Sequence, residues 1–302
     1  MTWYQLTKNL WEIIDVIAAD LIATGQWQEG DATWTTAVKT AENARRVVQH
    51  IADGMYLALI QCNAQRQAGA TTKYAKGLLV VFSDGWNAGA HIPSGNIYVT
   101  FVPFECRNAT GVNADLAAFA IPYSLFTGSG GFALVGIPPI NATDDYQSNF
   151  IVIVERNTGK LYADGYTNFY ILVDGNYLQT DFNTNNCGAA LFGVNVRWYH
   201  YTHPFYIQSQ GAGVGLDKAY SAFKSIGDSK AYFMKPVLHN EITLVYPWLQ
   251  PEFWIAIDST KANLADGDEI AMPAPATKKY MVTLKQSPDS ALYIWYAIIE
   301  TE

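Results

Sequence analysis

Asn149-Phe-Ile-Val-Ile-Val-Glu-Arg156, Tyr166-Thr-Asn-Phe-Tyr-Ile-Leu-Val173 and Asn176-Tyr-Leu-Gln-Thr-Asp-Phe182 are the stretches whose reading decides the fold. Each is dense in β-branched and aromatic residues, the side chains that fit a pleated, half-buried surface. Asn157-Thr-Gly159 breaks the first run, Lys160-Leu-Tyr-Ala163 continues it, and Asp164-Gly165 and Asp174-Gly175 bound the second. An Asp-Gly pair supplies the two positive φ angles of a tight type I′ turn, so flanking strands can pair directly. Residues 148–182 therefore predict two consecutive β-hairpins, and the chain is expected to be a β-sheet protein built from meandering strands.

Working outward, the same signals recur. Downstream of a polar patch, Asn183-Thr-Asn-Asn186, residues 190–201 and 204–208 are strand-like, as are 231–238, 241–246, 253–257, 280–284 and 292–299. Asp266-Gly267 and Ser287-Pro288 supply turns, and Met272-Pro-Ala-Pro-Ala276 a stiff loop. Upstream, residues 119–126 and 132–137 flank Thr127-Gly-Ser-Gly-Gly131. Residues 78–83 form a strand ending at an Asp84-Gly85 turn, and 96–102 form the next, which Pro103 stops or confines to an edge. Strand signals about a dozen residues apart indicate an antiparallel sandwich or barrel.

The clearest helical signals lie at the beginning. Trp3, Leu6, Leu10, Ile13, Ile14, Ile17 and Leu21 recur at three- and four-residue steps, predicting a helix over 3–24 capped by Gly25. Its apolar face either packs on its own domain or serves as an interface helix for a neighbour. A second helix is expected from Thr33, as N-cap, to His50, with Trp34, Ala37, Val38, Ala41, Ala44 and Val48 on one side. Residues 55–62 are ambiguous between strand and buried helix, because a short apolar run declares no period. Residues 65–72 read as a polar loop. The expected organisation is a helical segment over 1–70, a β-rich domain over 71–208, a linker with a short helix over 209–230, and a C-terminal β lobe over 231–302.

Composition bounds what such a fold can do. Of 302 residues, 50% are hydrophobic, 14% aromatic and only 15% charged, against a usual charged share of about 25%. Either the aromatics fill a large β core, or apolar surface is shared with partners through extensive contacts between copies, the reading favoured here. The net charge of −8, with 19 basic residues scattered among 27 acidic ones, lacks the continuous basic stripe that tight nucleic-acid binding requires. No run of 18 apolar residues is present to span a membrane. Cys62, Cys106 and Cys187 make neither a disulfide framework nor a zinc pattern, and no secretory signal is evident, so synthesis in a reducing host cytoplasm is expected.

The candidate chemistry is thin. Gly211-x-Gly213-x-Gly215 has Leu216 where a dinucleotide loop continues, and no alternating strand–helix pattern surrounds it. His200 and His203 are spaced so that on one strand they face opposite ways. Asp266-Gly-Asp-Glu269 lacks the alternating ligand spacing of a calcium loop. Glu105, Glu155, Glu241 and Glu252 could pair as glycosidase acids, but nothing in the sequence brings two of them to one cleft. Ser94 lacks a nucleophile elbow. No catalytic residue, cofactor or metal is expected.

Two stretches add a resemblance. Ala44-Arg-Arg-Val-Val-Gln-His50 followed by Gly54-Met-Tyr-Leu-Ala-Leu59 is one. The other runs from Tyr74-Ala-Lys-Gly-Leu-Leu-Val-Val-Phe-Ser-Asp-Gly-Trp86 through His91-Ile-Pro-Ser-Gly-Asn-Ile-Tyr98 to Pro103-Phe-Glu105. Together they cover about the first third of the chain and resemble virion structural proteins of tailed bacteriophages. The resemblance implies a non-enzymatic homo-oligomer of a tail, neck, baseplate or fibre attachment, contacting other virion proteins. It transfers no functional residue. The alternative expectation is a carbohydrate- or receptor-binding β module with a glycan ligand, followed by a glycan-degrading enzyme.

Overall fold

A computed structural model describes residues 2–8, 10–35, 45–68, 71–108, 121–136, 150–156, 169–174, 206–207, 233–234, 238–239, 253–256, 269–271, 279–286 and 293–301. The chain begins with β1 (Thr2–Lys8), α1 (Leu10–Ala23), β2 (Trp27–Glu29) and α2 (Ala32–Thr35). There follow β3 (Arg45–His50), β4 (Tyr56–Ala68), β5 (Thr71–Asn87), β6 (Ile92–Asn108), β7 (Ile121–Gly128), β8 (Gly131–Gly136), β9 (Phe150–Arg156) and β10 (Phe169–Asp174). The remaining strands are β11 (Tyr206–Ile207), β12 (Phe233–Met234), β13 (Leu238–His239), β14 (Phe253–Ala256), β15 (Glu269–Ala271), β16 (Lys279–Gln286) and β17 (Tyr293–Thr301). The protein is mainly antiparallel β-sheet with two N-terminal helices, as its sequence predicts.

Three five-stranded sheets have the orders β2-β3-β4-β5-β6, β1-β7-β8-β9-β10 and β12-β14-β17-β16-β15; β11 and β13 form a two-stranded ribbon. The last five-stranded sheet is drawn wholly from residues 233–301. The first two share one core with α1. Ile13, Ile14, Ile17, Ala18 and Leu21 of the helix pack with Trp27, Val48, Leu57, Leu59, Leu78, Val80 and Phe82 of one sheet. From the other sheet come Tyr123, Leu125, Phe132, Leu134, Val152 and Val154. Trp27 also donates its indole N–H to the Ser129 carbonyl at 3.1 Å, tying β2 to the β7–β8 turn. On the helix's polar side, Arg46 pairs with Asp15 at 3.0 Å and Glu29 at 2.8 Å, linking α1, β2 and β3.

Several expected boundaries move, each for a physical reason. The helix over 3–24 is only α1. Residues 2–8 are a strand paired with β7 from Thr2↔Thr127 to Lys8↔Ile121. Thr2, Trp3, Tyr4 and Thr7 favour a pleated surface, and pairing with β7 overrides the helical spacing that Trp3 and Leu6 share with Leu10. The cap is as expected, with Gly25 in the left-handed region at φ 73° and Gly25 N–H donating to the Ile22 carbonyl at 3.0 Å.

The second helix is one turn, α2, and residues 45–50 of the expected helix are β3. Its N-cap is Asp31 and not Thr33: Asp31 Oδ1 accepts from Trp34 N–H at 3.1 Å and from the Thr33 hydroxyl at 2.8 Å. Residues 55–62 resolve as strand. Leu57 and Leu59 face α1, while Ala58 and Ile60 face the other way, and all four are buried. Burial on both faces erases the alternation that would have identified the strand.

The loop expected over 65–72 is hairpin, paired from Gln65↔Tyr74 to Ala68↔Thr71. The division at residue 70 therefore falls inside a hairpin, and the segments 1–70 and 71–208 contribute to one core. Asp84-Gly85 is a bulge inside β5, where the register shifts between Ser83 and Gly85, and the true turn is residues 88–91. Pro103 does not stop β6. A second register shift beside Gly77 accommodates it, and among the described strands β6 lies at an edge, where a missing N–H costs least.

The first predicted hairpin survives in outline, β9 pairing with β10 from Phe169↔Arg156 to Asp174↔Ile151. The second, over 176–182, and the linker over 209–230 lie outside the described residues.

Candidate functional site

Two features of the β2–β6 sheet stand out: a hydrogen-bonded hub at one end of the β5–β6 hairpin, and a long ribbon at the other.

The hub is built around Asp31, which is 4% exposed. Its Oδ2 accepts from Trp86 Nε1 at 2.8 Å and from His91 Nδ1 at 2.8 Å, adding to the two donors on Oδ1. Burial alone would raise the Asp31 carboxyl, but the hydrogen bonds from His91, Trp86, Thr33 and Trp34 outweigh it. They hold the group down at about 2 against an ordinary 3.8. An ionised carboxylate only accepts, so His91 carries its proton on Nδ1 and turns Nε2 away from the hub.

Aromatic rings close the arrangement. Trp34 lies 5.2 Å from Trp86 and 6.1 Å from His91, nearly parallel to the imidazole at 10°. The Arg45 guanidinium sits 4.4 Å above the Trp34 ring, and its Nε donates to the Trp34 carbonyl at 3.3 Å. Burial lowers the Arg45 guanidinium, and the Asp31 charge partly restores it. Tyr56 stacks at 6.4 Å on Trp86. By register Arg45 pairs with Ile60, so the hub lies on the sheet face turned away from α1, beside Ala58 and Ile60.

His91 has φ 56°, the one non-glycine left-handed residue among those described. Such a conformation costs of order 1 kcal/mol and persists where surroundings over-determine it. Here the imidazole must leave the 88–91 turn in the direction of Asp31 and Trp34, and the backbone takes the strained geometry that allows it.

The ribbon is the far part of the same three strands, beyond the buried residues 57–61 of β4 and 78–83 of β5. Pairing then continues from Cys62↔Gly77 to Ala68↔Thr71, and β6 follows from Gly77↔Pro103 to Lys73↔Asn108. At about 3.3 Å per residue, the 17 residues of β5 span roughly 56 Å. Among the described strands β6 has a neighbour on one side only.

The residues singled out from sequence are dispersed. Ile13, Ile14, Ile17 and Leu21 of the expected interface helix are buried in the chain's own core, and partly buried Leu6 packs against it. Between own-domain packing and docking on a neighbour, these side chains take the first. Trp3 lies on β1, and Leu10 opens α1. His200, His203 and 211–215 fall outside the described residues, as does the Asp266-Gly-Asp group apart from Glu269 on β15. Glu105 is on β6, opposite Lys76, and Glu155 on β9. No group of three or more His, Cys, Asp or Glu is placed to hold a metal ion among the described residues.

The sequence reading missed the hub. Asp31 three residues before Trp34 is a capping signal that could have been found; that Trp86 and His91 converge on it requires the hairpin. The expected greasy exterior is also not a property of this region. One large apolar side chain is exposed among the described residues, Ile51 at 54%. The aromatics Trp27, Phe82, Tyr123, Phe126 and Phe132 are buried. Searches against protein-family models and curated proteins find no match to this chain.

Proposed function

We propose that this chain is a structural, self-assembling subunit of a tailed-bacteriophage virion, in the tail, neck, baseplate or fibre attachment. The observation that carries this reading is the ribbon formed by residues 62–68, 71–77 and 103–108. Its three strands stay paired over this whole length, and among the described strands β6 has a neighbour on one side only. A long edge offers a row of backbone donors and acceptors, and natural sheets leave such edges where another chain is received or otherwise protect them. The hub supports the same reading. Its buried carboxylate spends four hydrogen bonds on fixing the opposite end of the hairpin, which gives the ribbon a rigid base. The sequence resemblance over the first third supplies the virion setting.

Light scattering after size exclusion, with negative-stain microscopy of the same fractions, tests this. Rings, tubes or fibres that grow with concentration are expected. A stable monomer at high concentration, which no co-expressed neighbouring protein recruits, would count decisively against it.

A second reading, a saccharide-binding module, draws on the stacked and half-buried Tyr56 and Trp86 beside His91. It predicts retention on a glycan array, and Trp86→Ala should abolish that retention.

A further inference from the structure

Resting on the saccharide-binding reading, we infer that Gln28, Gln49, Tyr56, Trp86 and His91 form one extended site for a neutral oligosaccharide, laid across the end of the β2–β6 sheet.

Register builds this strip. Gln28 is opposite Gln49, Gln49 opposite Tyr56 and Tyr56 opposite Ser83, so one row crosses β2, β3, β4 and β5. Directly opposed residues share a face. The neighbouring row, Val48, Leu57 and Phe82, packs on α1, so by alternation the Gln28 row faces the other way. That is the side on which the hub lies. Trp86, stacked on Tyr56, and His91, joined to Trp86 through Asp31, carry the strip onward. With strands about 4.8 Å apart, the part from β2 to β5 alone runs roughly 14 Å, more than one sugar ring and suited to a short chain of them.

The strip is also reachable. Gln28 is exposed, and Gln49, Tyr56, Trp86 and His91 are each half-buried. Further along the same face, Val47, Ala58, Ile60, Leu79 and Val81 are closed to solvent.

Its chemistry selects the ligand. Gln28 Nε2 donates to Gln49 Oε1 at 2.8 Å, and Gln49 Nε2 donates to the Gly54 carbonyl at 3.1 Å. These bonds orient both amides, and each amide retains a second N–H and a further lone pair for hydroxyl groups. His91 adds a lone pair at Nε2, since Asp31 holds its proton on Nδ1. Tyr56 and Trp86 add half-buried ring surface, with planes within 26° of each other, on which the C–H face of a pyranose packs. Glycine at position 30 makes room for the Tyr56 ring, because a Cβ there would lie 3.2 Å from Tyr56 Cδ1.

No residue of the strip carries a formal charge when His91 is neutral. The neighbouring charges are engaged with each other: Asp31 accepts four hydrogen bonds, and Arg45 lies on the Trp34 ring beside the Asp31 charge. A nucleic acid would need cations along the row to neutralise its phosphates, and an acidic polysaccharide would need them for its carboxylates. Amides that both donate and accept, together with aromatic faces, match a neutral chain of hydroxyls.

The test titrates the full chain by calorimetry at about 50 mM and about 500 mM NaCl. The probes are neutral gluco-, manno- and galacto-oligosaccharides, the corresponding monosaccharides, and oligogalacturonate as the acidic counterpart. A neutral oligomer should bind about tenfold or more tighter than its monosaccharide, with an affinity that salt leaves within about twofold. Gln28→Leu, at an exposed position, should weaken binding about threefold to tenfold, the effect of one lost hydrogen bond. Tyr56→Ala should weaken it about tenfold or more. Ile51→Ser, on the exposed turn between β3 and β4, should leave it unchanged. Circular dichroism and urea midpoints check that each variant is folded, and if Tyr56→Ala is not, Gln28→Leu carries the test.

Neutral binding that Trp86→Ala abolishes but Gln28→Leu and Tyr56→Ala leave intact confines the ligand to the hub; it overturns the strip while the saccharide reading stands. Preference for oligogalacturonate, or binding that high salt removes, overturns the neutral class. Binding of none of the probes overturns the saccharide reading together with the strip. If no sugar binds and Gln28→Leu and Tyr56→Ala instead weaken self-association in sedimentation, the row is a contact between copies, which equally overturns the strip as a sugar site.

Discussion

Replacing Asp31 by Asn should test the hub most sharply, because the substitution keeps shape and removes one acceptor oxygen and the charge. Oδ2 now accepts from Trp86 Nε1 and His91 Nδ1, both at 2.8 Å. An amide nitrogen in that position would place N–H against N–H. The flipped amide would instead oppose Trp34 N–H, which cannot turn away. Charge-assisted hydrogen bonds each contribute roughly 1.5–3 kcal/mol. Since Trp86 and His91 are half-buried and water can partly replace the lost oxygen, the expected loss at pH 7 is about 2–3 kcal/mol. The ionisation of Asp31 gives an independent figure: its drop from 3.8 to about 2 corresponds to about 2 kcal/mol.

The pH dependence carries a definite sign. A carboxyl held below its unfolded value contributes stability that is complete above about pH 5 and lost as pH falls through the folded value near 2. About half of the contribution should be gone by pH 3. Urea unfolding of wild type and Asp31→Asn, followed by tryptophan fluorescence from pH 7 to pH 3, reads both effects. The gap between the two proteins should narrow as the solution is acidified. A loss under about 0.5 kcal/mol at pH 7 would refute the account of the hub. So would a gap that stays constant down to pH 3.

Three further outcomes are expected. His91→Ala keeps the left-handed strain and loses the imidazole, whereas His91→Gly loses the imidazole but relieves the strain, so urea unfolding should find the alanine variant less stable by about 1 kcal/mol. Ile17→Ala removes a fully buried side chain between α1 and the sheets and should cost about 2–5 kcal/mol by the same measurement, which would fail at under about 1. Gly30→Ala would put a Cβ 3.0 Å from Val47 Cγ1 and 3.2 Å from the Tyr56 ring. It should destabilise by about 1–3 kcal/mol and shift the Tyr56–Trp86 near-UV dichroism.

The order in which information becomes available explains what the sequence revealed. Local chemistry was legible: Gly25 caps α1 as expected, the Thr127–Gly131 region is the β7–β8 turn, and the run at 150–156 is a strand. Each depends on φ preference or short-range patterning, which a few neighbouring residues encode. Strand β1 was read as helix because Trp3, Leu6 and Leu10 fit a helical step, and the partner that decides otherwise, β7, begins more than a hundred residues later. The pair Val47-Val48 and residues 57–60 are buried on both faces, so the two-residue alternation that would have identified them is absent.

The sequence by itself determined that this is an antiparallel β protein with two N-terminal helices, that it is acidic and poor in charge, and where several of its turns lie. Only the tertiary structure decided that Asp31, Trp86 and His91 meet, that residues 65–72 are hairpin, and that Gln28, Gln49 and Tyr56 fall in one row. The physical reason is register. Backbone preference acts within a turn or two of chain, whereas strand pairing fixes which distant residues become neighbours, and a shift of one residue would move every side chain to the other face.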